Sequence, residues 1–136
     1  MKQKLNQLMQ RAIEKRRRDA SGFSLIELLV VVLIIGILSA IAIPIFLGQQ
    51  DQAKDSAAKS DLANAKVAMI SYQVANSGVY ATTTTQLSTY GFVQSDGVTV
   101  AIDANPTGAF CIAATAATGN VFHVADTGGV ATGVCP

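Results

Sequence analysis

Residues 22–44 read GFSLIELLVVVLIIGILSAIAIP. From Leu28 to Leu47 no charged residue occurs, and about 20 such residues span a bilayer core as a helix. Yet a glutamate, Glu27, stands near the front of the run, and KRRRDAS precedes it directly. The apolar run outlasts the core of a secretory signal, and no small-residue cleavage site ends it cleanly. Gly36 and Pro44 interrupt it. Proline lacks the N–H that would reach the carbonyl four residues back, here Ala40. A kink or weakened turn is therefore expected over Ala40–Pro44, but not a helix end, because a helical pattern resumes beyond it.

That pattern is an apolar stripe of Ala58, Leu62, Ala65, Met69 and Tyr72. The opposite face carries Asp51, Lys54, Asp55, Lys59, Asp61 and Lys66. Asp51/Lys54 and Asp55/Lys59 are spaced for weak intrahelical pairs, and Asn76-Ser77-Gly78 supplies a stop. One helix over Phe23–Asn76 would be roughly 80 Å long at the α-helical rise. A chain of 136 residues does not bury such a helix by itself, so lipid or copies of the chain must solvate its first half.

Upstream, Met1–Gly22 holds seven basic residues against Glu14 and Asp19, a net charge of about +5; the rest has three lysines against seven acids, about −4. Clustered Lys/Arg before an apolar span stays in the cytoplasm, so the body is exported. The leader contains helix formers, but no apolar face of useful width is read in it, and no packed structure is expected there.

Downstream of Gly78, TTTT (Thr82–Thr85) and Gly/Ser-rich joints separate short alternating runs. Val98–Asp103, Phe110–Ala114 and Val121–Ala125 read as strands. Asn105-Pro106-Thr107-Gly108 and Thr118-Gly119-Asn120 are turn chemistry. The expected class is α+β: an antiparallel meander with one face over the helix stripe. Cys111 and Cys135 are the only cysteines. In an exported body an even count fits one disulfide, worth about 3–4 kcal/mol for a loop of roughly 25 residues; two free buried thiols are the alternative. His123 has no metal-ligand spacing and reads as a sheet-face residue. Asp96, Asp103 and Asp126 lie near loops but form no dense oxygen-ligand run for calcium. The sequence holds no phosphate loop, nucleophile elbow or metal triad, so neither catalysis, a cofactor nor a metal is expected. The exported body, with no arginine, offers no strong nucleic-acid surface.

Gly22 followed by FSLIELLVVVLIIGILSAIAIP after a basic leader resembles the type IV pilins and pseudopilins. The stretch Phe46–Lys66, FLGQQDQAKDSAAKSDLANAK, is similar to pilins of Gram-positive, single-membrane bacteria. Ala81 departs from a proline that many pilins have there, and the leader is longer than the shortest in the family. The resemblance implies a type IV pilin fold, a long kinked N-terminal helix with a small antiparallel sheet on its C-terminal half. It implies a cleaved leader (1–22), a transmembrane and polymerisation half of the helix (23–47), an amphipathic half (48–77) and an exported sheet region (78–136). It further implies cleavage by a prepilin peptidase between Gly22 and Phe23, methylation of the Phe23 amine, and assembly roles for Glu27, Gly36 and Pro44. Partners so implied are further copies of the chain, the peptidase, the assembly platform and its ATPase, minor pilins, and the bilayer before assembly. The precursor would sit in the cytoplasmic (inner) membrane with its N-terminus inside; the product would be an extracellular filament.

Glu27 then has a reason to be there. A carboxylate at bilayer depth costs on the order of 3 kcal/mol; a snorkelling interfacial residue is the plain reading. The alternative is a pair with the amine that cleavage creates at Phe23. Gly22 reads either as a close-approach site for a protease or as a simple joint. Three functions follow: a pilus subunit, a pseudopilin of a secretion or competence machine, or a surface domain that keeps its leader as an anchor.

Overall fold

Why the downstream chain folds where it does is answered by the contacts of one helix face. The computed structural model describes residues 2–19, 22–104 and 108–136. They form α1 (Lys2–Asp19), α2 (Leu25–Ala75), α3 (Thr84–Ser88), β1 (Thr99–Ala104), β2 (Phe110–Thr115), β3 (Val121–Ala125) and β4 (Ala131–Thr132). The chain divides into two compact units, Met1–Pro44 and Ile45–Pro136.

In the second unit the α2 stripe is buried as expected: Ala58, Leu62, Ala65 and Met69 are closed to solvent and Tyr72 packs at the margin. Opposite lie alternate residues of the strands, Phe110, Ile112 and Ala114 of β2, and Phe122 and Val124 of β3. Ala58, Ala65 and Ala68 share one buried cluster with the larger Leu62, Met69 and Ile112, which fill the space between helix and sheet. The sheet is antiparallel in the order β1-β2-β3-β4. Ile112 pairs with Ile102 on one side and Val124 on the other, which puts these apolar side chains on one face; a one-residue slip would turn all of them outward. The turn at Thr118–Asn120 forms, with Gly119 at φ +90° and the Ala116 N–H donating to Asn120 O. The turn expected around Asn105–Gly108 falls on 105–107, outside the described residues.

Several expectations are corrected. Asp61, read on the polar face, is only 2 % exposed; its two oxygens accept from the Ser95 N–H at 2.8 Å and hydroxyl at 2.7 Å. The loop brings both donors to the carboxylate, so burial leaves it satisfied. Asp51 and Lys54 do pair, at 3.1 Å. Asp55 and Lys59 do not form a direct ion pair. Asp55 accepts from Thr118 and Asn120 on the β2–β3 turn, and the Lys59 ammonium lies 4.7 Å from the Phe122 ring centroid. The threonine run is not a plain joint. Thr83 caps α3 in a reciprocal box with Gln86, whose amide also donates to the Tyr72 hydroxyl, and Leu87 is buried beneath. Strand β4 had no sequence signal because it is two residues long. The Ala81 N–H donates to the Met69 sulfur at 3.2 Å, a contact that a proline at this position could not make.

The basic N-terminal segment departs from its reading in one respect, an apolar stripe. Residues Lys2–Asp19 are helical, and Leu5, Leu8, Met9 and Ile13 recur on one face, an apolar stripe that composition alone hid among the charges. Its described side chains are exposed, as expected of an unpacked segment.

Helix α2 ends in a Schellman turn. The Gly78 N–H reaches Gln73 O at 2.9 Å, and Ser77 takes the left-handed position at φ +56°, where a side chain is unfavourable. Ser77→Gly should therefore stabilise the fold by about 0.5–1 kcal/mol, read as a raised unfolding midpoint of the full chain in detergent. A second expectation concerns pH. The hydrogen bonds from Thr118 and then Asn120 hold the Asp55 carboxyl below the usual 3.8, with Lys59 assisting and desolvation opposing. The resulting stabilisation is present above the unfolded value and is lost as pH falls through the lower folded one. Thr118→Val should flatten the fall in unfolding midpoint below pH about 4; an unchanged slope would show that Asp55 is not responsible.

Candidate processing and assembly segment

Helix α2 begins at Leu25 because the residues before it build a cap. Gly22, Phe23 and Ser24 are not helical. The Ser24 hydroxyl oxygen accepts the N–H of Ile26 at 3.2 Å. The Glu27 carboxylate reaches back to the Ser24 N–H at 2.9 Å. This is a variant of the capping box: the serine accepts at the second helical amide rather than the third, and the glutamate three residues on accepts from the serine's own N–H. Glu27 also sets a negative charge in the first turn, at the positive end of the helix dipole. The sequence held the signal, Ser-Leu-Ile-Glu, but the glutamate's membrane cost had drawn the attention; Ser24 was the functional residue missed.

The structure places the other candidates separately. Gly22 is exposed, and a Cβ added there would meet no atom within 4 Å, so no packing inside this chain requires glycine. Phe23 is 86 % exposed. Gly36 lies inside α2, likewise with open space where a side chain would go. Pro44 also lies inside α2; the helix does not end there, and Ala40 O is left without its usual amide donor. All large hydrophobic side chains from Phe23 to Leu47 are exposed, along the one helix long and apolar enough to cross a membrane among the described residues. The shallow hollow beside Phe23, Ile26, Glu27, Val30 and Val31 is the notch between such side chains, with the carboxylate on its rim.

Cys111 and Cys135, far along the chain, are bridged. The bond ties β2 to the C-terminal segment on the sheet face opposite Ile112. On that same face His123 is half-buried, its Nδ1 3.1 Å from Gly133 O. His123 is thus a sheet-face residue, and the described residues contain no group of side chains suited to a metal.

Residues 17–43 match the family model described as a prokaryotic N-terminal methylation motif. The chain is 33% identical over 109 residues to the type IV wide pilus major component PilA4 of Thermus thermophilus, covering 79% of this chain and 82% of that one. It is 44% identical over 61 residues to the type II secretion system core protein G of Pseudomonas aeruginosa, covering 45% and 43%. It is 61% identical over 41 residues to the type IV major pilin protein PilA of Myxococcus xanthus, covering 30% and 19%. Against the last two, the match spans less than half of the relative's length.

The cap makes a local prediction. Ser24→Ala removes the hydroxyl acceptor and should cost the first turn about 1 kcal/mol. Amide exchange at Leu25–Leu28 should rise severalfold in micelles, while exchange at Leu62 and Met69 stays unchanged.

Proposed function

The chain belongs to the type IV pilin family, and from that premise we propose that it is the structural subunit of a type IV pilus. In this reading it is stored in the membrane, cleaved after Gly22, methylated at the Phe23 amine, and polymerised through its N-terminal helix. The observation that carries the reading is the fully exposed apolar run Phe23–Leu47, headed by a non-helical Gly22-Phe23 joint and one carboxylate. Nothing in a single copy covers that run. Lipid covers it before assembly and neighbouring helices cover it after. Favouring a pilus over the secretion pseudopilin, the relative matched across four-fifths of its length is a pilus component, whereas the secretion protein of Pseudomonas aeruginosa is matched over 43% of its length.

Glu27 links the two states. Before cleavage the Phe23 nitrogen is a neutral amide, and the carboxylate serves its own cap. Cleavage converts that nitrogen to a cation. One Glu27 oxygen accepts from Ser24, but a carboxylate has roughly four lone-pair sites. It can keep its cap and still receive the ammonium of a neighbouring subunit. In a dry filament core this pair acts as a register device: removing either partner strands a charge, although the net gain of the pair is small. Gly36 lets a neighbouring helix approach the backbone closely, and Pro44 weakens the hydrogen-bond ladder where the helix must adapt on leaving lipid. The basic leader holds the N-terminus on the cytoplasmic side, which places the sheet unit and its disulfide outside. The peptidase, assembly platform and ATPase, and minor pilins are the partners this route requires.

Expression with a complete pilus machinery should give surface filaments whose bulk component lacks Met1–Gly22 and begins with N-methylated Phe23 by mass spectrometry. Glu27→Ala should abolish filaments while leaving the protein in the membrane. Recovery of an intact leader from filament-free cells with an active peptidase would support the anchored-domain reading instead.

A further inference from the structure

Helix α1 has a second face to explain. At about 100° per residue, Leu5, Leu8, Met9 and Ile13 fall within an arc of roughly 140°, and each is 58–62 % exposed. Lys4, Arg11 and Lys15 cluster along one border of that arc, and Gln3, Gln7, Gln10 and Glu14 occupy the far side. The sequence adds Lys2 and Arg16–Arg18 to the same segment. Most helical stability in proteins comes from packing an amphipathic face, so an amphipathic helix with every described side chain exposed lacks the surface that would stabilise it.

We propose that α1 is an interfacial helix that lies on the anionic lipid surface beside its own membrane span. Two independent features select lipid as the occupant. The first is charge: a basic border beside an apolar stripe fits acidic headgroups over acyl chains. The long Lys and Arg stems can cover apolar surface while their charges reach phosphates. The second is continuity. Asp19 ends α1 and Phe23 opens the apolar run, and four residues reach at most about 14 Å. Once the span is inserted, α1 is confined to the headgroup layer at high effective concentration. A single weak helix docks under that condition where a free peptide would not. Docking places the Gly22-Phe23 joint between two lipid-bound helices, at the depth where a membrane-embedded protease would meet it. The assignment of α1 to the cytoplasmic leaflet rests on the orientation proposed above; lipid binding itself does not.

The full-length chain, reconstituted in phosphatidylcholine vesicles with or without phosphatidylglycerol, provides the test. Single nitroxides are attached at Gln7→Cys, Leu8→Cys, Met9→Cys and Gln10→Cys; the native cysteines are bridged and do not react. With phosphatidylglycerol, labels at 8 and 9 should favour oxygen over a water-soluble nickel chelate, and labels at 7 and 10 should do the reverse. The triple variant K4Q/R11Q/K15Q should lower the docked-to-free ratio about a hundredfold, at roughly fivefold per charge. Uniform nickel access at all four sites overturns the proposal, as does undiminished docking of the triple variant. Orientation is read separately, with an impermeant maleimide on Gln3→Cys in spheroplasts. Labelling from outside would overturn the inside placement of the N-terminus and leave the vesicle result standing.

Discussion

One constraint governs the molecule: among the described residues, nothing covers the large apolar side chains of Phe23–Leu47. Burying a single leucine or isoleucine is worth about 1.5–3 kcal/mol, so a run of them left in water would outweigh the whole stability of a small domain. The run must always be covered, by lipid or by other copies. Membrane storage and polymerisation are two solutions of the same problem, and the passage between them exchanges one apolar cover for another. Specific polar groups are needed because apolar cover is non-directional. It holds a helix in place but does not say at what height.

Glu27 is the only charged side chain in that run, and the proposed pair with the Phe23 amine would make it the directional element. Its capping of α2 explains how the chain tolerates the charge in a monomer. The Ser24 amide and the positive end of the helix dipole both lie at the start of α2, where the carboxylate sits. The carboxylate is thereby tied to the Ser24 N–H, one residue from the nitrogen that the proposed cleavage would free. A glutamate one turn later would lose the cap and sit deeper in lipid; one residue later it would leave the serine without its reciprocal partner. The position is fixed by helix-start chemistry as much as by assembly.

The apolar run, the stripe Ala58–Leu62–Ala65–Met69, the three longer strands and the cysteine pair were legible because each follows a simple period or composition rule. What escaped depended on partners distant in sequence. Asp61 lies among charged neighbours and reads as solvated until Ser95, 34 residues away, closes over it. Asp55 seemed paired with Lys59 by spacing, but the β2–β3 turn offers uncharged donors at shorter range. Thr83–Gln86 and Ser24–Glu27 were both readable as capping boxes. The first lies in a threonine run, which otherwise signals a loop, and the second beside a membrane run, where a glutamate otherwise signals charge pairing. The leader's apolar stripe was masked by its charge density; helical spacing, not composition, reveals it.

Folding and assembly use separate parts of the chain. The buried core runs from Ala58 to Val124 and draws on no residue before Ile45. Its polar clamps, Asp55 to the turn and Asp61 to Ser95, tie α2 to segments that follow it in the same unit. The Cys111–Cys135 bridge constrains the unfolded chain of that unit alone. The sheet unit has its own core and bridge, independent of how the apolar run is covered. A change confined to Phe23–Leu47 acts on assembly without unfolding the part that the filament displays. In the proposed route, one carboxylate and one newly exposed amine can therefore direct polymerisation without belonging to the core that holds the sheet unit together.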